Sequence, residues 1–377
     1  IEEGEDLSEN TLRVLTASVR LNATDSARLI AGEDVRMPEI IITMNRGTRD
    51  GAVAKKYLSR AESELQRCGY YEDDLILVVQ MNYTDMPSSW FLASGLEDER
   101  NDDELKLSQA AYDHKWGGGY MDEVDNSIIK TEWFDACVDA HKIEKLVDVF
   151  KPHGAIIAAH DPNDGGNDAA GCTCRHGSIL KRICKKEGLE VDKSCDWAVG
   201  LAKKDKADWF VWDGDGIGTG LKRQIFTAFD GTRTQYHMYK GSLSGSGQDN
   251  ADKIYMPIDG GKKDEERTYD ETFLNNRSQY SITLADRCYN TYRCVVRGEY
   301  VDPEEMISID SDGVESIDKL RTEFCRVPEK LNTSGGLRQL LSKKEMKLLK
   351  IESPNMFDSC VMSTYKPTVK KVRRDLN

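Results

Sequence analysis

The stretch GAIIAAHDPNDGGNDAAGCTCRHGSILKRICKK, residues 154–186, reads as three short β-strands separated by tight turns. Its first strand, GAIIAAHD, is apolar on both faces, which is typical of a strand at the centre of a sheet. A helical segment, the apolar strand DWFVWD at 208–213 and the helix LKRQIFTAF at 221–229 come next. This alternation of strands and helices predicts an α/β unit.

Three strands, a helix, a strand and a helix is the element order of a ribonuclease-H-like core. The two apolar strands end in Asp161 and Asp213, and a third segment, IESPNMFDSC, carries Asp358. Ser353-Pro354 is a good cap and first-turn pair, so we predict that Asp358 lies early on a helix. If these acids converge, they could hold two magnesium or manganese ions about 4 Å apart and clamp a scissile phosphate.

The segment GDGIGTG after Asp213 partly matches other known motifs, but each match fails at a particular residue. The GxGxxG pattern is absent at every register, and Leu221 precedes Lys222 where a phosphate loop needs glycine. Gln224 stands where a calcium-binding EF-hand needs glutamate. We therefore predict that these glycines let a helix begin close to the site, with Asp215 as a turn or cap residue.

Composition bounds the class of protein. The chain has 377 residues, is 39% apolar and 31% charged, and carries a net charge of −14. No apolar run is long enough for a membrane span, and ten cysteines without a paired CxxC pattern indicate small buried residues in a reducing compartment. Net acidity does not exclude DNA binding, which depends on local positive patches. The candidate phosphate contacts are Lys222, Arg223, Lys240, Arg277, Lys343 and Lys344.

The first part of the chain shows a different pattern. Residues 38–45 and 73–85 read as buried strands on either side of an amphipathic helix ended by Gly69, which predicts the end of a parallel sheet. We therefore expect the end of a sheet with a helical linker at 1–116, which the family resemblance below implies is the C-terminal portion of an ATPase domain, and a connector at 117–150. A nuclease domain at 151–365 and a basic tail at 366–377 follow.

Several motifs together resemble the large subunit of tailed-phage DNA-packaging terminases, of the short-tailed, headful-packaging type. The specific ones are AAHDPNDGGNDAAGCTCRHGSILKR, VWDGDGIGTGLKRQ, LADRCYNTYRCVVRGEYVDPEEM and LRQLLSKKEMKLLKIESPNMFDS. The likeness extends into the first part through IEEGEDLSENTL, IIITMN and YDHKWGGGY. It implies an ATPase joined to a metal-dependent endodeoxyribonuclease that cuts concatemeric viral DNA. The family's three nuclease carboxylates fall on Asp161, Asp213 and Asp358.

The resemblance also implies roles in the first part. Glu2 would support Mg²⁺ and Glu3 would orient the attacking water in a Walker B motif, and Thr43 and Asn45 match the coupling motif. No GxxxxGK[ST] occurs in the sequence, so we expect the phosphate-cradling loop to lie upstream of Ile1. As written, the chain is therefore predicted not to hydrolyse ATP.

The cofactors implied are Mg²⁺ or Mn²⁺ in the nuclease site, and ATP in the full-length protein. The partners implied are double-stranded viral DNA, the small terminase subunit and the portal protein of the procapsid, with no membrane. The protein would be a monomer in isolation and an oligomer on the portal, in the host cytoplasm.

Two alternatives stay open. A ribonuclease-H-like resolvase or transposase explains the acidic residues but not the first 150 residues. A non-catalytic fragment that docks on DNA or the portal would keep the acids for folding alone. Metal-dependent nicking of plasmid DNA separates these readings.

Overall fold

The computed structural model describes residues 1–49, 51–107, 109–124, 126–165, 168–256, 266–331, 336–349 and 351–365. The chain divides into two compact units, Ile1–Val124 and Asp125–Asn377. The predicted basic tail at 366–377 lies outside the described residues. Among the described residues, no helix has both the length and the apolar character needed to cross a bilayer.

The first unit is mainly helical. Its elements are α1 Glu9–Ser18, α2 Ala23–Ile30, α3 Ser59–Cys68, β1 Tyr70–Glu72, β2 Leu77–Val79, α4 Ser88–Ser94, α5 Leu96–Lys106 and α6 Gln109–Trp116. The hydroxyl of Ser8 accepts a hydrogen bond from Thr11 N at 3.1 Å and caps α1. Gly69 ends α3 in the left-handed conformation, with φ of 70°, as the sequence predicts.

The prediction of two buried strands in this unit is wrong in detail. Residues 38–45 form no strand, although Ile41 and Thr43 exchange backbone hydrogen bonds of 2.8–3.2 Å with residues 1–4. In 73–85 a strand exists at Leu77–Val79 alone, antiparallel to β1, and Leu77 is 61% exposed. An apolar segment forms a buried strand where other elements pack on both faces of its sheet. The described residues of this unit provide no elements packed in that way.

The second unit is built on a mixed sheet. Its elements are α7 Thr131–Cys137, β3 Ile156–Asp161, β4 Ala169–His176, β5 Ile179–Glu187, α8 Val191–Lys204, β6 Trp209–Asp213, α9 Lys222–Phe229, β7 Gln235–Tyr239, β8 Ile254–Tyr255, β9 Arg267–Thr268, α10 Tyr269–Thr272, α11 Asn276–Arg297, β10 Ser308–Ile309, α12 Ile317–Cys325, α13 Lys343–Leu348 and α14 Asn355–Ser363. Among the described residues, the central sheet has the strand order β10-β5-β4-β3-β6-β7.

The pairing within this sheet confirms the predicted fold class. β3, β4 and β5 form an antiparallel meander, and β6 then returns parallel to β3 with β7 parallel to β6. The three predicted strands, the helix α8, the strand β6 and the helix α9 all occur at their predicted places. The edge strands β7 and β10 were not predicted, because QYHMY is largely polar and Ser308–Ile309 is two residues long.

Two hydrophobic layers cover the sheet. One face packs against α7, α11, α12 and α14, where the rings of Phe134 and Phe357 each lie about 5 Å from that of Phe324. The other face packs against α8 and α9 through Phe210 and Phe229. Because side chains alternate along a strand, Ile157 and Ala159 enter the first layer and Ala158 enters the second. The same alternation places Asp161 on the face covered by α14.

Residues 126–150, predicted as part of a connector, pack within the second unit. Ile129 and Phe134 are fully buried there, and Ile128 N donates to Val327 O at 3.0 Å. The functional limits assigned to the domains stay predictions.

All ten cysteines are free, and Cys68 is the exposed one among them.

Candidate metal centre

Three aspartates from distant parts of the chain meet at one end of the second unit. Asp161 ends β3 and Asp213 ends β6, and because these strands are parallel neighbours, their carboxyl ends lie at the same edge of the sheet. Asp358 lies in the first turn of α14, which packs on β3 and β4. The carboxyl of Asp161 interacts electrostatically with both of the others. The structure therefore brings together the acids predicted from the sequence.

A cavity of about 470 Å³ opens at this edge. Five aspartates contribute to its wall: Asp161, Asp164, Asp168, Asp213 and Asp215. Among the described residues that line it, Lys343 is the one cation. Its Nζ lies 3.3 Å from Asp358 Oδ2, and the negative charge of Asp358 is the main reason why the pKa of Lys343 is raised. One ammonium group therefore faces an excess of carboxylates.

Burial leaves the negative charges of Asp161 and Asp213 poorly compensated. Asp161 is 5% exposed, and burial raises the pKa of its carboxyl well above the usual range, against the opposing effect of Lys343. Burial also raises the pKa of Asp213 to about 6, and the charges of Asp215 and Asp358 add to the shift. A bound cation supplies the missing positive charge and releases these protons.

The turn after β6 orients Asp213. Its Oδ1 accepts a hydrogen bond from Asp215 N at 2.9 Å, and the Asp215 carboxylate accepts two bonds of 2.8 Å from Ser242 N and Oγ. A Cβ on Gly218 would stand 1.7 Å from Asp213 O. Both predictions for this segment are confirmed, since a 3₁₀ helix begins at Gly216, close to Asp213, and Asp215 is the residue that precedes it.

The packing of α14 on β4 fixes the position of Asp358. A Cβ on Gly171 of β4 would stand 2.2 Å from Asn355 O, so the helix start touches the strand backbone directly. The prediction that Ser353 caps this helix is wrong. Pro354 precedes the helix without a side-chain capping bond, and the Ser353 hydroxyl bonds to Asn355 Oδ1 at 2.8 Å instead.

His160 is a packed residue. It is fully buried, and its Nδ1 lies 3.1 Å from Gly171 O. Burial lowers the pKa of His160 to about 4, so the ring is neutral near pH 7. Its ring faces Trp197 and Phe210, on the side of the sheet away from Asp161.

A second acidic group was missed by sequence reasoning. Potential ligand atoms of Asp139, His141 and Asp310 lie within 4.8 Å of one another. Lys142 Nζ already stands 2.9 Å from Asp139 Oδ1 and 3.0 Å from Asp310 Oδ1, and Lys181 Nζ stands 2.7 Å from Asp310 Oδ2. This group lies near Leu180, at the end of the sheet opposite Asp161, and Lys142 and Lys181 provide positive charge beside its carboxylates. No spacing in the sequence signals it.

The other predicted site residues are placed as follows. In the first unit Glu2, Glu3, Thr43 and Asn45 are exposed, and Thr43 N donates to Ile1 O at 2.8 Å.

The predicted phosphate contacts lie in the second unit. Lys222, Arg223 and Lys344 are exposed, and Lys240 is half-buried after β7. Arg277 Nη1 donates to Leu341 O at 3.1 Å, near Lys343. Of the six cations, Lys343 is the one that lines the cavity, and DNA contact by any of them stays a prediction.

The strand order and the acids at the ends of its central parallel strands define a ribonuclease-H-like α/β protein. The chain matches no protein-family model and no curated protein.

Solved structures do match the chain. The nuclease domain of the large terminase subunit gp2 of bacterial virus Sf6 is 42% identical, with a TM-score of 0.58; the match covers 64% of this chain and 100% of that one. A mutant of that domain with manganese and beta-thujaplicinol is 41% identical (TM-score 0.57), and a mutant with calcium is 41% identical (TM-score 0.55), both with the same coverage. The chain belongs to the family of phage large terminase subunits.

Proposed function

We propose that the second unit is a metal-dependent endodeoxyribonuclease that cleaves concatemeric viral DNA, with Asp161, Asp213 and Asp358 as its metal-binding catalytic residues. The observation that carries this proposal is that Asp161 and Asp213 line one cavity with Lys343, the one cation among its described lining residues, and that Lys343 pairs with Asp358. The Sf6 domains with manganese or calcium support a divalent cation as the cofactor.

The donor set fits such a cation. Carboxylate oxygens are the ligands that Mg²⁺ and Mn²⁺ prefer, and the raised pKa values of Asp161 and Asp213 mark charge that the protein leaves uncompensated. Divalent ions held here would activate a water and stabilise the leaving oxygen of a phosphodiester. We propose Mg²⁺ or Mn²⁺, with two ions in the site.

The chain's own residues prepare the site. Asp215 holds the Asp213 carboxylate in one orientation through its backbone N–H. Lys343 neutralises Asp358 while the site holds no cation, and its half-exposed ammonium is placed to donate to a phosphate oxygen. Lys222, Arg223, Lys240, Arg277 and Lys344 are proposed to grip the duplex backbone without reading sequence.

We also propose that the full-length protein drives ATP-dependent DNA packaging, with the small subunit and the portal as partners. This rests on family membership and on the match of Glu2, Glu3, Thr43 and Asn45 to the family's motor motifs. The proposed limits are 1–116 for the ATPase part and linker, 117–150 for the connector, 151–365 for the nuclease and 366–377 for the tail.

Plasmid cleavage tests the nuclease. The 377-residue chain is incubated with supercoiled plasmid and Mn²⁺ or Mg²⁺, beside the variants Asp161→Asn, Asp213→Asn and Asp358→Asn. We expect nicking by the wild type and a loss of at least about 100-fold in each variant, because metal ligands are removed. The matched control is Asp148→Asn, an exposed aspartate whose side chain is 85% accessible, which should cut normally.

Other outcomes would favour the alternatives. Absence of cleavage by the wild type with either metal supports a docking role. Cutting restricted to hairpins or branched DNA, or joining of strands, supports a resolvase or transposase.

A further inference from the structure

Glu323 lies beneath the start of α14. It belongs to α12, is 9% exposed, and its Oε2 accepts hydrogen bonds from Met356 N at 2.7 Å and Phe357 N at 3.3 Å. These are first-turn N–H groups, which have no partner within their own helix. Pro354, the residue before α14, makes no side-chain capping bond. The cap is supplied instead by Glu323 of α12, more than thirty residues earlier in the chain.

The other oxygen of the same carboxylate is held from the sheet. Lys185 Nζ of β5 lies 3.0 Å from Glu323 Oε1, and the lysine side chain is 21% accessible. Burial raises the pKa of the Glu323 carboxyl, while Lys185 and the two N–H donors oppose that shift. A negative group at a helix N-terminus is also favoured by the helix dipole. The carboxylate therefore links β5, α12 and α14.

The residue after Phe357 is Asp358. A second contact holds the helix start, because Asn355 Nδ2 donates to Asp168 Oδ1 at 2.6 Å. Asp168 lines the cavity together with Asp161. The direction in which Asp358 points is therefore set by where the first turn of α14 rests.

We propose that Glu323 is a positioning residue of the metal centre: by capping α14 it sets the place of the Asp358 carboxylate relative to Asp161 and Asp213. The proposal rests on the proposed nuclease function, in which Asp358 is a metal ligand. Glu323 is not among the described residues that line the cavity, so it would act through α14.

Two double variants of the full chain separate the cap from the ion pair. Glu323→Gln with Lys185→Met removes both charges and keeps one acceptor oxygen for the N–H groups. Glu323→Met with Lys185→Met removes both charges and the acceptor, and replacing both partners of a buried pair by apolar groups is often nearly neutral for stability. Mn²⁺ binding without DNA is measured by calorimetry, and nicking is measured against Mn²⁺ concentration.

We expect the variant without an acceptor to bind Mn²⁺ about 10-fold more weakly than wild type, as for other residues that orient metal ligands. The variant with glutamine should stay within about threefold of wild type, because it preserves an acceptor for the helix start. The matched control is Asp205→Asn, which breaks a carboxylate–guanidinium pair with Arg182 of β5. It should lower the melting temperature and leave Mn²⁺ affinity unchanged.

Equal Mn²⁺ affinity in the two double variants would overturn the proposal. If the variant without an acceptor does not fold, the single change Glu323→Asp decides. Its shorter side chain keeps the charge but draws the acceptor away from Met356 N and Phe357 N, so an unchanged Mn²⁺ affinity would also overturn the proposal. Absence of nicking by the wild type would defeat the nuclease function instead, and the calorimetric comparison would still test Glu323.

Discussion

Lys343 Nζ lies 3.3 Å from Asp358 Oδ2, at the mouth of a cavity that Asp161 and Asp213 also line. The first residue of α13 thus provides a positive charge to the first turn of α14. An ammonium ion and a divalent cation bound by the same carboxylate compete, because each neutralises the same negative charge. Under the proposed metal-binding role of Asp358, the pairing should therefore affect how tightly the site holds a divalent cation.

We predict that Lys343→Met binds Mn²⁺ more tightly than wild type and cleaves DNA more slowly. The gain in affinity should be modest, about threefold, because the lysine is half-exposed and its charge is screened by water. Calorimetry with Mn²⁺ alone measures the affinity. Lys347→Met, an exposed lysine of α13 outside the proposed DNA contacts, is the control and should change neither quantity by much. Weaker Mn²⁺ binding by Lys343→Met would contradict competition.

The carboxyl of Asp213 should make the metal-free protein less stable as the pH rises. Its pKa is about 6 in the folded protein and 3.8 ordinarily, so folding favours the protonated form. The stabilising contribution is fully present below the ordinary pKa and is lost as the pH rises through about 6. We expect the melting temperature in the presence of EDTA to fall between pH 4 and pH 7.

Two controls check this pH dependence. Asp213→Asn should flatten the fall, because the amide does not titrate. Mn²⁺ should reverse it, since a cation favours the ionised carboxylate. A melting temperature that rises steadily from pH 4 to pH 7 in both the wild type and Asp213→Asn would refute the assignment.

The turn after β6 should not tolerate a side chain at Gly218. A Cβ there would stand 1.7 Å from Asp213 O, so Gly218→Ala must displace the backbone that carries this carboxylate. We expect a loss of about 2–4 kcal/mol in the free energy of unfolding, measured with urea, and weaker Mn²⁺ binding. Gly220→Ala is the matched control, because a Cβ on Gly220 meets nothing within 4 Å. Equal effects of the two changes would refute the close approach.

The central part of the fold could be read from the sequence because its signals are local. Apolar runs that end in Asp161 and Asp213 predict strands with acids at one edge, and the structure has β3 and β6 side by side in that arrangement. The glycines after Asp213 likewise predict that a helix begins close to the site, and a 3₁₀ helix spans Gly216–Leu221.

The predictions that failed concern features that depend on residues far away in the sequence. Residues 38–45 are apolar, but whether they form a strand depends on neighbours that the segment does not encode. The cap of α14 could not be found near Ser353, because it comes from Glu323 on another helix. The group of Asp139, His141 and Asp310 joins residues far apart in sequence, so no spacing could reveal it.

The dependence of α14 on β4, β5 and α12 has a consequence for the order of synthesis. Asp161 and Asp213 leave the ribosome long before Asp358, and the helix that carries Asp358 can dock only when the strands and the helix beneath it have formed. Pairing of such distant segments is slow compared with local folding. Under the proposed nuclease function, an unfinished chain would therefore lack its third metal ligand, and DNA cutting would begin only after α14 has docked.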